Sequence, residues 1–117
     1  MVAIIDDDES YLLAVQRLLK SAGLSVRPFV SAEAFLDSGQ QYETRCLVCD
    51  IRMPGMSGLE LQSKLNSDLC AIPTIFITAH GDEKMRLQAM RGGAVKFLAK
   101  PFDCETLLEA VQAALNN

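Results

Sequence analysis

Cys46-Leu47-Val48-Cys49 is an unbroken apolar run that ends abruptly in Asp50-Ile51-Arg52-Met53-Pro54-Gly55. Four apolar residues without polar alternation are the pattern of a central strand in a parallel sheet, buried on both faces. Working outward, the pattern recurs. Val2-Ala3-Ile4-Ile5 runs into Asp6-Asp7-Asp8, Thr74-Ile75-Phe76-Ile77 into Thr78, and Val95-Lys96-Phe97-Leu98-Ala99 into Lys100-Pro101. Ser25–Phe29 is a short, partly alternating strand, and the last run predicts a strand over Val95–Leu98.

Helical spacing fills the intervals. Leu12, Val15, Leu18, Leu19 and Ala22 share one face of a helix that begins near Glu9 and stops at Gly23. Ser31 caps a brief helix carrying Ala34 and Phe35, which ends near Gly39. Leu61, Leu65 and Leu69 stand four apart after the Pro-Gly loop. The helix over about Asp82–Arg91 has a poor stripe, because Met85, Leu87, Ala89 and Met90 spread around it, and Gly92-Gly93 ends it. Asp103 caps the last helix, whose Leu107, Leu108, Val111, Ala114 and Leu115 form the cleanest amphipathic face. Five strands alternating with five helices predict an α/β fold with right-handed crossovers and a sheet covered on both faces.

The 117 residues are expected to form one domain, residues 1–117. With 50% hydrophobic and 22% charged residues the composition is that of an ordinary globular chain. A formal net charge of −4 gives no electrostatic footprint for nucleic acid. No apolar stretch approaches the roughly 18 residues that cross a bilayer, and no basic segment precedes an apolar one as in a secretory leader. A cytoplasmic location without membrane contact is therefore expected. Cys46, Cys49, Cys70 and Cys104 show no recurring metal-type spacing and read as reduced thiols.

Ligands of parallel α/β sheets bind beyond the carboxyl ends of the strands. There the topology gathers Asp6, Asp7, Asp50, the Thr78 hydroxyl and the Lys100 ammonium. Clustered carboxylates repel and hold protons unless a cation sits among them. Mg²⁺ (or Mn²⁺) suits oxygen ligands of this kind together with phosphate oxygens. An aspartate can act as a nucleophile toward phosphorus, while a lysine and a hydroxyl stabilise the transferring group. Taken singly, these residues have plain roles as helix-dipole charges, a turn aspartate, a capping threonine and a surface lysine. Their joint placement at four strand ends is what points to phosphoryl chemistry.

The stretches Ile4-Ile5-Asp6-Asp7, Asp50-Ile51-Arg52-Met53-Pro54 with Gly58, Thr78-Ala79, and Phe97-Leu98-Ala99-Lys100-Pro101-Phe102 also resemble, in order, the receiver (CheY-like) domain of two-component response regulators. Asp50–Gly58, Thr78–Asp82 and Gly93–Phe97 are similar to the FixJ-like subgroup in particular. The resemblance spans essentially the whole chain. It implies a flavodoxin-like, doubly wound, five-stranded parallel sheet in the order 2-1-3-4-5. It also implies that Asp50 is the phosphoacceptor, Asp7 a direct metal ligand with Asp6 as its partner, and the backbone carbonyl of Arg52 a further ligand. Thr78 and Lys100 would contact the phosphoryl group, Phe97 would be the switch aromatic, and the Lys100-Pro101 bond would be cis. Because the acidic run is a triplet, the pair could also be Asp7-Asp8; Asp6-Asp7 is preferred because Asp6 directly follows Val2–Ile5. Arg52 and His80 occupy positions that tune the lifetime of the acyl phosphate in the family.

The implied partner is a sensor histidine kinase, and the implied output is transcription through a DNA-binding domain that these residues do not contain. By the same resemblance the receiver itself would catalyse only its own phosphorylation and dephosphorylation and would not otherwise be an enzyme. The weak stripe of the Asp82–Arg91 helix, with Met85, Leu87 and Met90 exposed and Val95–Leu98 alongside, predicts a phosphorylation-dependent homodimer face. Rival readings are a stand-alone receiver acting through protein contacts, a Mg²⁺-dependent aspartyl-phosphate phosphatase and an FMN-binding module. The phosphatase wants an acid where Arg52 stands, and the FMN module wants a hydroxyl- and glycine-rich loop where Asp6–Glu9 stands.

Overall fold

The computed structural model describes residues 1–79 and 81–116. The apolar runs become strands β1 (Val2–Ile5), β2 (Val26–Phe29), β3 (Cys46–Cys49), β4 (Thr74–Thr78) and β5 (Lys96–Ala99). The helices are α1 (Glu9–Ser21), α2 (Ala32–Asp37), α3 (Gly58–Ser67), α4 (Glu83–Arg91) and α5 (Cys104–Leu115), with one 3₁₀ turn at Gln40–Tyr42. All strand pairs are parallel, in the order β2-β1-β3-β4-β5. Pro28, which cannot donate to a ladder, lies in the edge strand β2 opposite Ile4.

The continuous apolar runs serve two cores because successive side chains point to opposite faces. Ala3, Ile5, Leu47, Cys49 and Phe76 face Phe35 of α2, Leu61 and Leu65 of α3, and Ala89 of α4. Val2, Ile4, Cys46, Val48, Ile75 and Ile77 face Leu12, Val15 and Leu19 of α1 and Leu107 and Val111 of α5. The sheet is thus covered on both sides and its carboxyl ends are left open.

Three helices end in one device. In α1, α3 and α4 the amide two residues past the cap donates to the carbonyl of the helix's third-last residue: Leu24 to Leu19, Cys70 to Leu65, and Ala94 to Ala89. The residue between cap and donor is left-handed, with φ of +82° at Gly23, +101° at Gly93 and +56° at Leu69. That turn corrects the expected Leu61-Leu65-Leu69 stripe. The helix stops at Ser67, and Leu69 is 94% exposed.

Three smaller corrections concern the edge of the sheet. The fifth strand is Lys96–Ala99 rather than Val95–Leu98, with Val95 exposed one residue ahead of it. The helix expected from Asp82 begins at Glu83, because Asp82 is its cap and accepts from the Met85 amide. Met85 is half-buried against the α2–α4 core, whereas Leu87 and Met90 are exposed as expected. Among the described residues no helix is long and apolar enough to cross a membrane.

Candidate functional site

The residues that follow the strands are still held by the ladder. The Asp6 amide donates to Phe29, the Asp50 amide to Ile5 and the Lys100 amide to Thr78, at 3.0–3.1 Å. Their side chains therefore leave the sheet from fixed positions. Gly58 brings α3 close behind Asp50: a Cβ there would strike the Asp50 carbonyl and the Phe76 ring. Met56 donates to Glu33 of α2 at 3.0 Å, which ties down the loop between β3 and α3. The Lys100-Pro101 peptide bond is cis.

These constraints bring Asp6, Asp50 and Lys100 together under cover. Lys100 Nζ lies 2.8 Å from Asp6 Oδ2 and 3.0 Å from Asp50 Oδ2, and the three side chains are only 6–8% exposed. Oxygens of Asp6, Asp7 and Asp50 fall within 4.8 Å of one another, with Asp7 on the open side. Asp50 Oδ1 accepts from the Arg52 amide at 3.3 Å. The third acid of the triplet is used differently: Asp8 caps α1, accepting from the Ser10 and Tyr11 amides. On the next strand end the Thr78 hydroxyl is buried and has no hydrogen-bond partner among the described residues.

The electrostatics follow from burial and charge. Desolvation pushes the Asp6 carboxyl above its ordinary pKa, and the hydrogen bond from Lys100 only partly offsets this. Burial by itself would lower the Lys100 pKa, but hydrogen bonds to Asp6 and Asp50 outweigh it, and the net shift is upward. The lysine therefore stays charged at neutral pH. Three carboxylates against one ammonium leave excess negative charge, and all the donors are hard oxygens, which fits a divalent cation such as Mg²⁺.

The other residues singled out in the sequence lie around this centre. Phe97 is half-buried on β5, with its ring against Gly81, where a Cβ would come within 2.8 Å of it. Arg52 is exposed and directs Nη2 to Met85 Sδ of α4 at 3.8 Å, linking the loop after Asp50 to that helix. His80 lies outside the described residues. Sequence reasoning passed over Tyr11, whose ring stands over Lys100 Nζ at 4.2 Å. Tyr11 is four residues before Val15, so its spacing reads as a core position. Glu33 was also passed over, since its partner is a backbone amide 23 residues away.

Known proteins with this arrangement are recognisable. The sequence profile of the response regulator receiver domain matches residues 2–112. Transcriptional regulatory protein FixJ of Azorhizobium caulinodans is 45% identical over 114 residues, covering 97% of this chain and 54% of that protein. Nodulation protein W of Bradyrhizobium diazoefficiens is 47% identical over 114 residues, covering 97% of this chain and 50% of that protein. The chain thus spans about half the length of the curated relatives it matches. Among solved structures, FixJ-N superposes with a TM-score of 0.87 at 41% identity, over 99% of this chain and 93% of that one. Response regulator StyR superposes with a TM-score of 0.91 at 46% identity, over 98% and 58%. With its sheet order, its acidic strand ends and a profile match over nearly its whole length, the chain belongs to the response regulator receiver domain family of two-component systems, related to FixJ.

Proposed function

We propose that this domain captures a phosphoryl group on Asp50 and converts it into a change of shape. The observation that carries the reading is the Lys100 ammonium fixed between Asp6 and Asp50, with a buried Thr78 hydroxyl on the neighbouring strand end that no described residue engages. Preorganised donors of this kind stabilise charge that develops during transfer. An Asp50 oxygen attacks phosphorus, a new O–P bond forms, and the bond from phosphorus to the donor breaks. The donor leaves with the electron pair, as an imidazole from a histidine kinase or as acetate from acetyl phosphate. Hydrolysis later returns the Asp50 carboxylate and inorganic phosphate.

Asp6, Asp7, Asp50 and the Arg52 carbonyl are the residues that would hold Mg²⁺, with Mn²⁺ as a substitute. When bound, the ion supplies charge neutralisation for phosphoryl oxygens. The use of Asp8 as the α1 cap supports Asp6-Asp7 rather than Asp7-Asp8 as the acid pair. Lys100 gives a donor to one phosphoryl oxygen and Thr78 gives its hydroxyl to another. Thr78 moves toward the group, and Phe97, packed beside it at Gly81, turns into the space left behind. The shift passes to α4 and rearranges the already exposed Leu87 and Met90, with Val95, into a homodimer face. Arg52 and His80 set how long the acyl phosphate lasts.

In this reading residues 1–117 are the receiver part of a cytoplasmic regulator that takes its phosphoryl group from a sensor histidine kinase. The relatives named as transcriptional regulators support control of transcription through an output domain. Incubating the protein with acetyl phosphate and Mg²⁺ and weighing it intact tests the assignment. One phosphoryl group should be gained by the parent and none by Asp50→Asn or in the presence of a chelator. Equal gain by Asp50→Asn overturns it.

A further inference from the structure

The Lys100 ammonium has a third neighbour besides its two carboxylates. The Tyr11 ring, in the first turn of α1, lies over Nζ with its centroid 4.2 Å away. The ring is itself supported by Phe102, at 6.2 Å between centroids and an angle of 55°. Tyr11 is half-buried, and the lysine side chain beneath it is 6% exposed. An aromatic face attracts a cation without taking one of its hydrogen bonds, so the ring restrains the ammonium and leaves its donors free for oxygens. It also shields the ammonium from water, which strengthens its field.

From this geometry we propose that Tyr11 is a positioning residue for phosphoryl transfer, holding Lys100 over the Asp50 carboxylate through its ring face. The proposal rests on the phosphoacceptor reading of Asp50. The ring acts only through the lysine. As the O–P bond to Asp50 forms and the donor leaves with its electron pair, Lys100 must exchange one carboxylate contact for a phosphoryl oxygen without swinging into solvent. A leucine at position 11 would fill the apolar space against Phe102 but offer no π-face.

The test compares Tyr11→Phe, Tyr11→Leu and a series of progressively fluorinated phenylalanines at position 11. Rates of phosphoryl gain from acetyl phosphate with Mg²⁺ are measured by intact mass. The parent and Tyr11→Phe should agree within about twofold, and Tyr11→Leu should be slower by roughly five- to tenfold. Within the fluorinated series the rate should fall with each added fluorine while the unfolding midpoint stays constant, which a packing role alone does not predict. Independently of any transfer, the Lys100 ε-protons should be shifted upfield by the ring in the parent and Tyr11→Phe proteins and should relax in Tyr11→Leu. A parent that is phosphorylated on Asp50 while Leu, Phe and fluorinated variants react alike overturns the role of Tyr11 alone. A parent that takes up no phosphoryl group overturns both it and the reading of Asp50.

Discussion

Asp6 carries a conflict that the fold imposes on it: a carboxylate buried beside Asp50, with one shared ammonium for relief. A carboxyl whose pKa is raised on folding binds its proton more readily in the folded state. This group therefore favours the folded state as pH falls and opposes it once pH rises above its folded pKa. In metal-free protein near neutral pH, Asp6→Asn should raise the unfolding midpoint by about 3–5 °C. The advantage should shrink as pH falls through the raised folded value, where the native carboxyl gains its proton, and be gone below the ordinary aspartate value of about 3.9. Thermal scans across pH check this; a midpoint that falls at neutral pH contradicts it. Lys100 is linked to pH in the same direction: its pKa is also raised, so its contribution is complete below the ordinary lysine range and is lost as pH climbs through the folded value. Lys100→Ala should slow phosphoryl gain by roughly 10²-fold, the usual worth of one preorganised donor. The chemical identity of Asp6, Asp50, Thr78 and Lys100 was legible because each follows directly on an apolar run. The contacts of Tyr11 and Glu33 were not, because they join residues whose neighbourhood only the folded chain defines.

At the scale of elements, the helix ends distinguish what periodicity reveals from what it hides. Gly23 and Gly92-Gly93 announce the ends of α1 and α4 in the sequence. The end of α3 uses the same turn with a leucine in the left-handed position, and the four-residue spacing of Leu61, Leu65 and Leu69 disguises it. Leu69→Gly should therefore stabilise the domain by about 0.5–1 kcal/mol, read from chemical denaturation. A loss of stability would mean that the exposed leucine makes a contact absent from this conformation. The α4 helix also differs from its expected looseness in one respect. Ala89 is its one buried residue, yet Gln62 donates to the Ala89 carbonyl and Asn66 to the Gly92 carbonyl, both at 2.9 Å. Its carboxyl end is thus pinned to α3, while its amino end lies near Gly81, Phe97 and Thr78. Gln62→Leu should cost about 1–2 kcal/mol and speed amide exchange along α4. Exchange confined to the parent rate would refute the anchor.

For the molecule as a whole, the order of strands and the two-sided core follow from runs that are short, apolar and separated by helical spacing. Periodicity alone leaves open which strand neighbours which; the resemblance to receiver domains filled that gap, and the structure has the same order. The two cores also govern thiol chemistry. Burial pushes the Cys46 thiol up to about 12 and Cys49 upward as well, whereas Cys104 is exposed. In native protein iodoacetamide should label Cys104 and leave Cys46 and Cys49 untouched until unfolding; early labelling of either would contradict the two-sided core. Phosphoryl capture comes down to a single bond, from an Asp50 oxygen to phosphorus, and reductive trapping reads out which residue carries it. Borohydride converts an aspartyl phosphate to homoserine, and the peptide containing residues 46–52 can be sequenced by mass after treatment with acetyl phosphate and Mg²⁺. Homoserine is expected at position 50, with Asp6 and Asp7 unchanged. Aspartate intact at position 50 in phosphorylated protein, or homoserine at another residue, would contradict it.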